Sequence, residues 1–390
     1  MNLLLLTVIS VVALALLFDF SNGFHDAANS VATVVATRAM PARWAVWFSA
    51  LCNFAAYFFV GTAVANTVAK TVKPGSVTVS VVFAALFAAI VWNYATWHIG
   101  MPSSSSHAII GGLIGAGLAS GGVAAVAWSS VRKTLLAIVA SPVVALSVAV
   151  AATGLVIGIQ RLTKLPDDAK PFKWLQLVSA AAVSFGHGAN DAQKTMGVIA
   201  ALLVGAGYVD VSAHSDKIPV PEWAALASYG AIALGTAWGG WKIIDTMGLR
   251  LTRLNARTGV AANIGATAAI FGATQFGIPI STTHAAASSV VGAGAAARNG
   301  VNWKVIGEMA AAWVATIPAT AAISWMIYRL TQLPTVFADV AVGAAVLVML
   351  SGIGWAMSQA MGAKEVEAEV LSTGLPHRSV PASEVPATVA

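Results

Sequence analysis

Charged residues are scarce in this chain. They make up 9% of its 390 residues, while hydrophobic residues make up 58%, and the mean hydropathy is +0.80. Because a soluble domain carries about 25% charged residues, a chain this apolar cannot cover a surface that faces water. The apolar stretches between its charged breaks have about the 20-residue length that crosses a bilayer core. The composition therefore excludes a soluble domain and indicates an all-α polytopic membrane protein.

Cysteine and signal-peptide features are nearly absent as well. The single cysteine, Cys52, excludes an intramolecular disulfide. The opening residues MNLLLLTVISVVALALLF lack a basic region and a cleavage site, so we expect a retained first transmembrane helix. The net charge is +6, but no basic helix with interleaved aromatic residues supports nucleic-acid binding. We assign the excess of basic residues to cytoplasmic loops.

The apolar runs predict two transmembrane halves, residues 1–160 and 174–330, joined by a polar linker at 161–173. A final transmembrane helix is expected over 331–362, and the polar, proline-bearing residues 363–390 are expected to be a disordered tail. The individual spans are predicted near residues 1–18, 43–66, 76–99, 131–160, 174–187, 222–246, 257–276, 303–330 and 335–357.

Two pairs of motifs recur in the same order in the two halves. Residues 23–29 read GFHDAAN and residues 188–194 read GANDAQK, while 102–107 read PSSSSH and 279–284 read PISTTH. A tryptophan follows each second motif at a nearly constant offset, which indicates a duplicated chain. Secondary transporters are often built in this way, with the binding site where the repeats meet.

The orientation of the two halves depends on how many times each crosses the membrane. If residues 24–38 are a separate crossing and residues 100–120 a re-entrant hairpin, the first repeat has an odd number of crossings. Residues 277–298 are then the second hairpin. On this count we expect two inverted repeats with re-entrant helical hairpins.

The paired serine and threonine motifs predict an anion site. Each places small hydroxyl residues after Gly-x-Pro and before an apolar, glycine-rich run, which is the pattern of a helix N-terminus. A helix start offers free N–H groups and a partial positive charge. The apolar run after each motif is too short to span a bilayer comfortably, so a half-helix lining a cavity is expected.

The paired aspartates predict polar function inside the membrane, where an ionised carboxylate is costly unless it faces a cavity. Asp26 and Asn29 share a helix face, as do Asp191 and Lys194. An ion pair that serves packing alone could explain the second pair but not the repeat. No His-Glu-x-x-His spacing and no nucleophile elbow appears, so the sequence predicts no metal site, no cofactor and no enzyme.

These motifs resemble those of the inorganic phosphate transporter (PiT) family, over roughly residues 15–330. The resemblance implies a secondary phosphate symporter. It implies that the substrate contacts come from Asp26, Asn29, Ser104, Ser105, Ser106, Asp191, Ser281, Thr282 and Thr283. Beside them, we expect Asn190 and Lys194 to bind the substrate as well. Coupling or supporting roles are expected for Asn22, His25, Gln193, His107 and His284.

Lys194 departs from the sodium-coupled members of that family, which typically have Asn there. The version found here resembles the bacterial low-affinity branch, which is proton-coupled, so H+ is the expected coupling ion and Na+ the alternative. The expected partners are inorganic phosphate, free or as a metal–phosphate complex, the lipid bilayer of a bacterial inner membrane, and a second copy in a homodimer. A sulfate permease of the same superfamily and an uncoupled anion channel remain as other readings.

Overall fold

The computed structural model describes residues 3–167, 169–210 and 217–372, and helices dominate this part of the chain. In chain order they are α1 (Leu3–Asp26), α2 (Ala28–Ala36), α3 (Ala42–Ala55), α4 (Ala63–Ala69), α5 (Val79–His98), α6 (Ser105–Gly121), α7 (Trp128–Thr163), α8 (Lys170–Gly205), α9 (Glu222–Trp238), α10 (Trp241–Asp245), α11 (Ala256–Gln275), α12 (Thr282–Ala296), α13 (Trp303–Thr331), α14 (Thr335–Ser358) and α15 (Ala363–Ser372).

Six helical spans in the described residues are long and apolar enough to cross a membrane, or seven if the bent pair α3–α4 counts as one. Their outward faces are apolar: on α14, Val336, Val340 and Val348 are 73%, 68% and 73% exposed. Such a surface fits lipid and not water. The expectation of an all-helical, multi-pass membrane protein is confirmed.

The first span is longer than the sequence suggested. Helices α1 and α2 follow each other with a break only at Ala27 and form one span from Leu3 to Ala36. The expectation that residues 24–38 cross separately was therefore wrong. The polar residues that suggested a break, including Asn22 and His25, are buried against other helices, so the helix continues through them.

The order of elements repeats along the chain. In the first half a long span (α1–α2) is followed by α3 and α4, which meet at an angle of 88°, and then by α5, α6 and the long helix α7. In the second half the long helix α8 is followed by α9 and α10, and then by α11, α12 and the long helix α13. This recurrence supports the duplication inferred from the motifs.

The two hairpins are larger than predicted. In each, two helices pack together, α5 with α6 and α11 with α12, and a short non-helical segment joins them. Residues 102–104 and 280–281 of these segments are buried, so the tips lie inside the protein. The predicted ranges 100–120 and 277–298 cover only the tip and the second arm of each hairpin.

The linker and the tail also differ from expectation. Helix α7 runs on to Thr163 and α8 begins at Lys170, so the polar break is shorter than 161–173. The first part of the predicted disordered tail is the amphipathic helix α15, with Val366 and Val370 buried. It is fixed by Glu367, whose Oε1 accepts a hydrogen bond of 2.9 Å from the backbone N–H of Ala42 at the start of α3. Residues 373–390 lie outside the described residues.

Glycine in each aspartate motif allows a close helix approach. A Cβ atom on Gly23 would lie 2.1 Å from the carbonyl oxygen of Ile232 on α9, and one on Gly188 would lie 2.3 Å from that of Asn53 on α3. Neither contact is possible for a larger residue without a shift of backbone. The two glycines therefore set how deeply the aspartate helices pack into the bundle.

Candidate functional site

Both serine-rich tips start a helix as predicted. Ser104 precedes α6, and its hydroxyl oxygen accepts a hydrogen bond of 3.1 Å from the N–H of His107. Ser281 does the same at α12, at 3.1 Å from the N–H of His284. The first N–H groups of a helix have no acceptor within the helix. Each tip thus presents backbone donors and the positive end of a helix dipole.

The two tips meet inside the protein. Ser106 at the start of α6 donates a hydrogen bond of 2.7 Å to the carbonyl of Ile280, which directly precedes the cap of α12. In the first turns of α6 and α12, the rings of His107 and His284 lie 4.4 Å apart between centroids. The repeated motifs predicted that both tips approach one anion, and the structure brings the two tips into contact.

Asp26 lies at the end of α1 and is held by its neighbour. His25 Nδ1 is 2.6 Å from Asp26 Oδ1, and His25 Nε2 is 3.2 Å from the hydroxyl of Thr96 and 3.3 Å from that of Ser103. Both hydroxyls belong to the first hairpin. His25 therefore links the carboxylate of Asp26 to the tip of that hairpin.

Asp191 lies in the middle of α8 and forms an ion pair with Lys194. Lys194 Nζ is 2.6 Å from Asp191 Oδ1, and both side chains are fully buried. The same ammonium group donates to the hydroxyl of Ser106 and, at 3.0 Å, to the carbonyl of Ile280. Asn22 donates to Asp191 Oδ2 at 3.4 Å. The lysine thus joins the second aspartate to both hairpin tips.

The contacts between aspartate motifs and tips are crossed. Asn29, three residues after Asp26, donates to the hydroxyls of Thr282 and Thr283 at 3.2 and 3.3 Å, on the tip of the second repeat. Lys194, three residues after Asp191, contacts Ser106 on the tip of the first repeat. Each half therefore completes the site of the other.

Thr282 lies between the two aspartates. Its hydroxyl is 3.4 Å from Asp26 Oδ2 and 3.3 Å from Asp191 Oδ2, so it can donate to either. Nearby, the hydroxyl of Ser105 and both ring nitrogens of His107 have no hydrogen-bond partner among the described residues. Hydroxyl and backbone donors thus converge from two helix starts on a region that two carboxylates border.

Asn190, a predicted contact residue, and Gln193, for which a coupling or supporting role was expected, both bond to the surrounding frame. Asn190 donates to the Thr274 hydroxyl at 2.9 Å and accepts from the N–H of Ile280 at 3.3 Å, which holds the second tip. Gln193 accepts from the N–H groups of Val64 and Ala65 at 2.8 and 3.2 Å, at the start of α4. Their amides point to protein backbone and hydroxyl groups.

The whole set is closed to solvent. None of the sixteen residues that the sequence predicted is more than 3% exposed. Inside a membrane protein, such a buried cluster of carboxylates, an ammonium group, histidines and hydroxyls marks a path or a site for a polar solute.

Sequence reasoning predicted no metal site, but three potential ligand atoms lie close together. One atom each from Asp26, His187 and Asp191 lie within 4.8 Å of one another. His187 Nε2 is 3.6 Å from Asp191 Oδ2. The group was missed because its members come from two helices far apart in the chain, which no spacing motif records.

Sequence reasoning also missed Thr96 and Ser103, which hold His25, and Asp19, which precedes Asp26 on α1. A signal for Asp19 existed: Asp19, Asn22 and Asp26 are spaced at intervals of a helical face. Because these three polar residues lie on one face of an otherwise apolar helix, the sequence could have placed Asp19 near the aspartate motif.

A multi-pass bundle with two buried hairpin tips that converge on one closed polar site defines a membrane transporter, not an enzyme. The chain matches the model of the phosphate transporter family (PHO4) over residues 22–166 and 159–324. This protein belongs to that family.

The similar proteins agree with this assignment. A probable low-affinity inorganic phosphate transporter of Rhizobium meliloti is 47% identical over 82% of this chain and 95% of its own length. Proteins with the same description from Bacillus subtilis and Mycobacterium leprae are 42% and 40% identical, over 84% and 90% of this chain and 98% and 84% of their own. A solved structure described as the sodium-dependent phosphate transporter superposes with a TM-score of 0.73 at 25% identity, covering 84% of this chain and 99% of that one.

Proposed function

We propose that this protein is a secondary active symporter that moves inorganic phosphate across the membrane with protons. The observation that carries the proposal is the position of Lys194, whose ammonium group is 2.6 Å from Asp191 and also contacts Ser106 at the opposite tip. A bound phosphate beside Asp26 and Asp191 needs a balancing positive charge, and two helix N-termini offer only about half a charge each. A fixed lysine supplies that charge without a sodium ion.

The anion is held, on this proposal, by the two helix starts. Ser104 and Ser105 supply hydroxyl donors and Ser105 and Ser106 supply backbone donors from the first tip. Ser281, Thr282 and Thr283 supply donors from the second. Asn29 and Lys194 add donors that cross between the repeats. Asn190 and Gln193 position these groups through their bonds to backbone.

Phosphate is favoured over sulfate because it carries its own protons. Near neutral pH phosphate has at least one P–OH donor, and a carboxylate is an acceptor only. Asp26 or Asp191 can therefore accept a hydrogen bond from phosphate, while sulfate oxygen meets a like charge without a hydrogen. The two anionic side chains suit a protonated anion.

A sodium-coupled phosphate symporter is the second candidate. The solved relative is described as sodium-dependent, and the ligand atoms of Asp26, His187 and Asp191 lie within 4.8 Å of one another. The same three residues are the place where a divalent cation would enter with the anion if the substrate is a metal–phosphate complex. Lys194 argues against a sodium site, because its ammonium group already pairs with one carboxylate oxygen of Asp191.

We further propose that the two halves are inverted relative to each other and that the protein works as a homodimer. The crossed contacts of Asn29 and Lys194 support two equivalent repeats around one site. A symporter built this way alternates access by moving one part of the bundle against the other.

The test is uptake of labelled phosphate into proteoliposomes that contain the purified protein. We expect uptake in sodium-free buffer, and we expect unlabelled phosphate inside the vesicles to accelerate it, which a carrier can show and a channel cannot. Sodium-free vesicles that take up no phosphate while sodium restores uptake would favour the second candidate. Ion currents without such acceleration would point to a channel.

A further inference from the structure

Asp19 is a buried carboxylate that the proposed anion site does not use. It lies on α1 two turns before Asp26 and is 0% exposed. Neither of its carboxylate oxygens has a hydrogen-bond partner among the described residues. Asp26 and Asp191, by contrast, are each bonded to a basic side chain at 2.6 Å. Asp19 is thus set apart from the two aspartates of the site.

The groups that face Asp19 come from three helices. On its own helix Asn22 lies near, and on α8 the side chain of Thr195 lies near. The charges of Asp191 and Lys194 on α8 and the phenol of Tyr229 on α9 are within electrostatic range of it. Thr195 and Tyr229 are buried, and their hydroxyls also lack hydrogen-bond partners. The one cation in this group, Lys194, is already paired with Asp191.

The closed conformation therefore disfavours a negative charge on Asp19. An ionised carboxylate that is buried without a compensating charge or hydrogen bond carries a large free-energy penalty, whereas the neutral acid carries a much smaller one. The protein can close around its substrate at low cost only when Asp19 holds a proton. This penalty therefore couples closure of the protein to protonation of Asp19.

From this arrangement we infer that Asp19 carries the coupling proton of the symport, an inference that rests on the proposed function. When the site is open to one side, the carboxylate takes one proton from water, and an O–H bond forms. The neutral acid permits closure around phosphate. When the site opens to the other side, that O–H bond breaks and the proton leaves to water. The empty protein then returns with Asp19 ionised, a slow step because of the same penalty, and one proton has moved with each phosphate.

A row of side chains leads from Asp19 toward the surface. The ring of Tyr229 lies 5.9 Å from that of Tyr57 between centroids. Tyr57 in turn donates a hydrogen bond of 3.2 Å to Glu222, an exposed carboxylate at the start of α9. This ring contact places Tyr229, which is within electrostatic range of Asp19, beside a side chain that reaches the protein surface.

The experiment compares two activities of Asp19→Asn in proteoliposomes. One is accumulation of labelled phosphate driven by an inward proton gradient, and the other is exchange of labelled for unlabelled phosphate at equal pH. The amide has the same shape but is always neutral, so closure no longer requires a proton. We expect the ratio of driven accumulation to exchange to fall about tenfold or more, and the pH dependence of exchange to flatten.

The controls separate coupling from folding. Asp19→Glu, which keeps a titratable group, should retain driven accumulation, and so should Asp245→Asn, which alters another buried carboxylate outside the site. If Asp19→Asn does not fold, infrared spectra of the unmodified protein and of Asp19→Glu decide instead. They should show a protonated carboxylic-acid band that shifts with the side chain.

The inference is overturned if Asp19→Asn accumulates phosphate as the unmodified protein does, or if no such infrared band shifts. Its failure is distinct from that of the proposed function. If the unmodified protein moves no phosphate, the proposed function fails. If it couples phosphate to protons and Asp19→Asn still does so, only the role of Asp19 is wrong.

Discussion

Lys194 and Ser106 belong to opposite halves of the chain, yet the ammonium group of the lysine donates a hydrogen bond to the serine hydroxyl at the first hairpin tip. The same nitrogen is 2.6 Å from Asp191. One side chain thus ties the second aspartate motif to the first serine motif. The mirror contact, from Asn29 to Thr283, lacks a charge. The two crossing contacts are therefore equivalent in position, but only the one made by Lys194 carries a charge.

Replacing Lys194 with asparagine should reduce sodium-free phosphate uptake by about a hundredfold or more, because leaving Asp191 buried without its cation costs about 3–5 kcal/mol. Initial rates of labelled phosphate uptake measure the effect. Lys217→Asn, at an exposed lysine, is the control and should leave the rate unchanged. If sodium restores uptake in Lys194→Asn, the lysine acts in place of a cation. Normal sodium-free uptake in that variant would contradict this role.

Replacing Thr282 with valine should weaken apparent phosphate affinity by about tenfold, because it removes a hydroxyl without changing shape and leaves polar neighbours unpaired at about 1–3 kcal/mol. The KM for phosphate uptake measures the loss. Thr153→Val is the matched control, since this buried hydroxyl bonds only to its own helix, at 2.7 Å from the carbonyl of Ala149. Equal effects of the two changes would assign Thr282 a structural role only.

Replacing Gly188 with alanine should lower the unfolding temperature in detergent, because overpacking of this kind costs about 1–3 kcal/mol. The added methyl would lie 2.3 Å from the carbonyl oxygen of Asn53. Gly158→Ala, on α7, meets nothing within 4 Å and should be neutral or stabilising by up to about 1 kcal/mol. Equal melting temperatures for the two variants would show that α3 and α8 are not in close contact at this point.

Sulfate at the same concentration as phosphate should barely reduce phosphate uptake at neutral pH, because a like-charged contact without a hydrogen gives about a tenfold to hundredfold preference for phosphate. Competition with labelled phosphate measures the preference. Asp26→Asn should reduce the preference for phosphate over sulfate, since an amide can donate a hydrogen bond to a sulfate oxygen. If sulfate competes on equal terms in the unmodified protein, the proposed specificity is wrong although family membership stands.

The helices and the paired motifs were predictable because their signals are local. Apolar runs set the spans, and the Ser104 and Ser281 caps follow from a hydroxyl placed before a helical run. The same local logic failed for α1, where Asn22 and His25 suggested a break. These side chains bond to residues on other helices, so the helix continues through them although the sequence suggested a break there. It failed again for α15, which Glu367 in the middle of the helix holds against the start of α3.

The arrangement of the site was only partly predictable. Repetition of the motifs indicated that the two tips face one site, but not that Asn29 and Lys194 cross to opposite tips. Nor does the sequence tell a residue that faces the centre from one that braces it: Asn190 and Gln193 look alike in the motif, yet they bond to the frame. Asp19 was missed because its importance depends on Thr195 and Tyr229, far away in the chain.

The most direct test of the account is steady-state accumulation of labelled phosphate in sodium-free proteoliposomes under an imposed pH gradient. The account predicts accumulation that rises with the size of an inward proton gradient and collapses when a protonophore dissipates it. Added sodium at equal pH should give no accumulation. Accumulation that follows the sodium gradient and ignores the proton gradient would contradict the assignment of Lys194 as the fixed cation of the site.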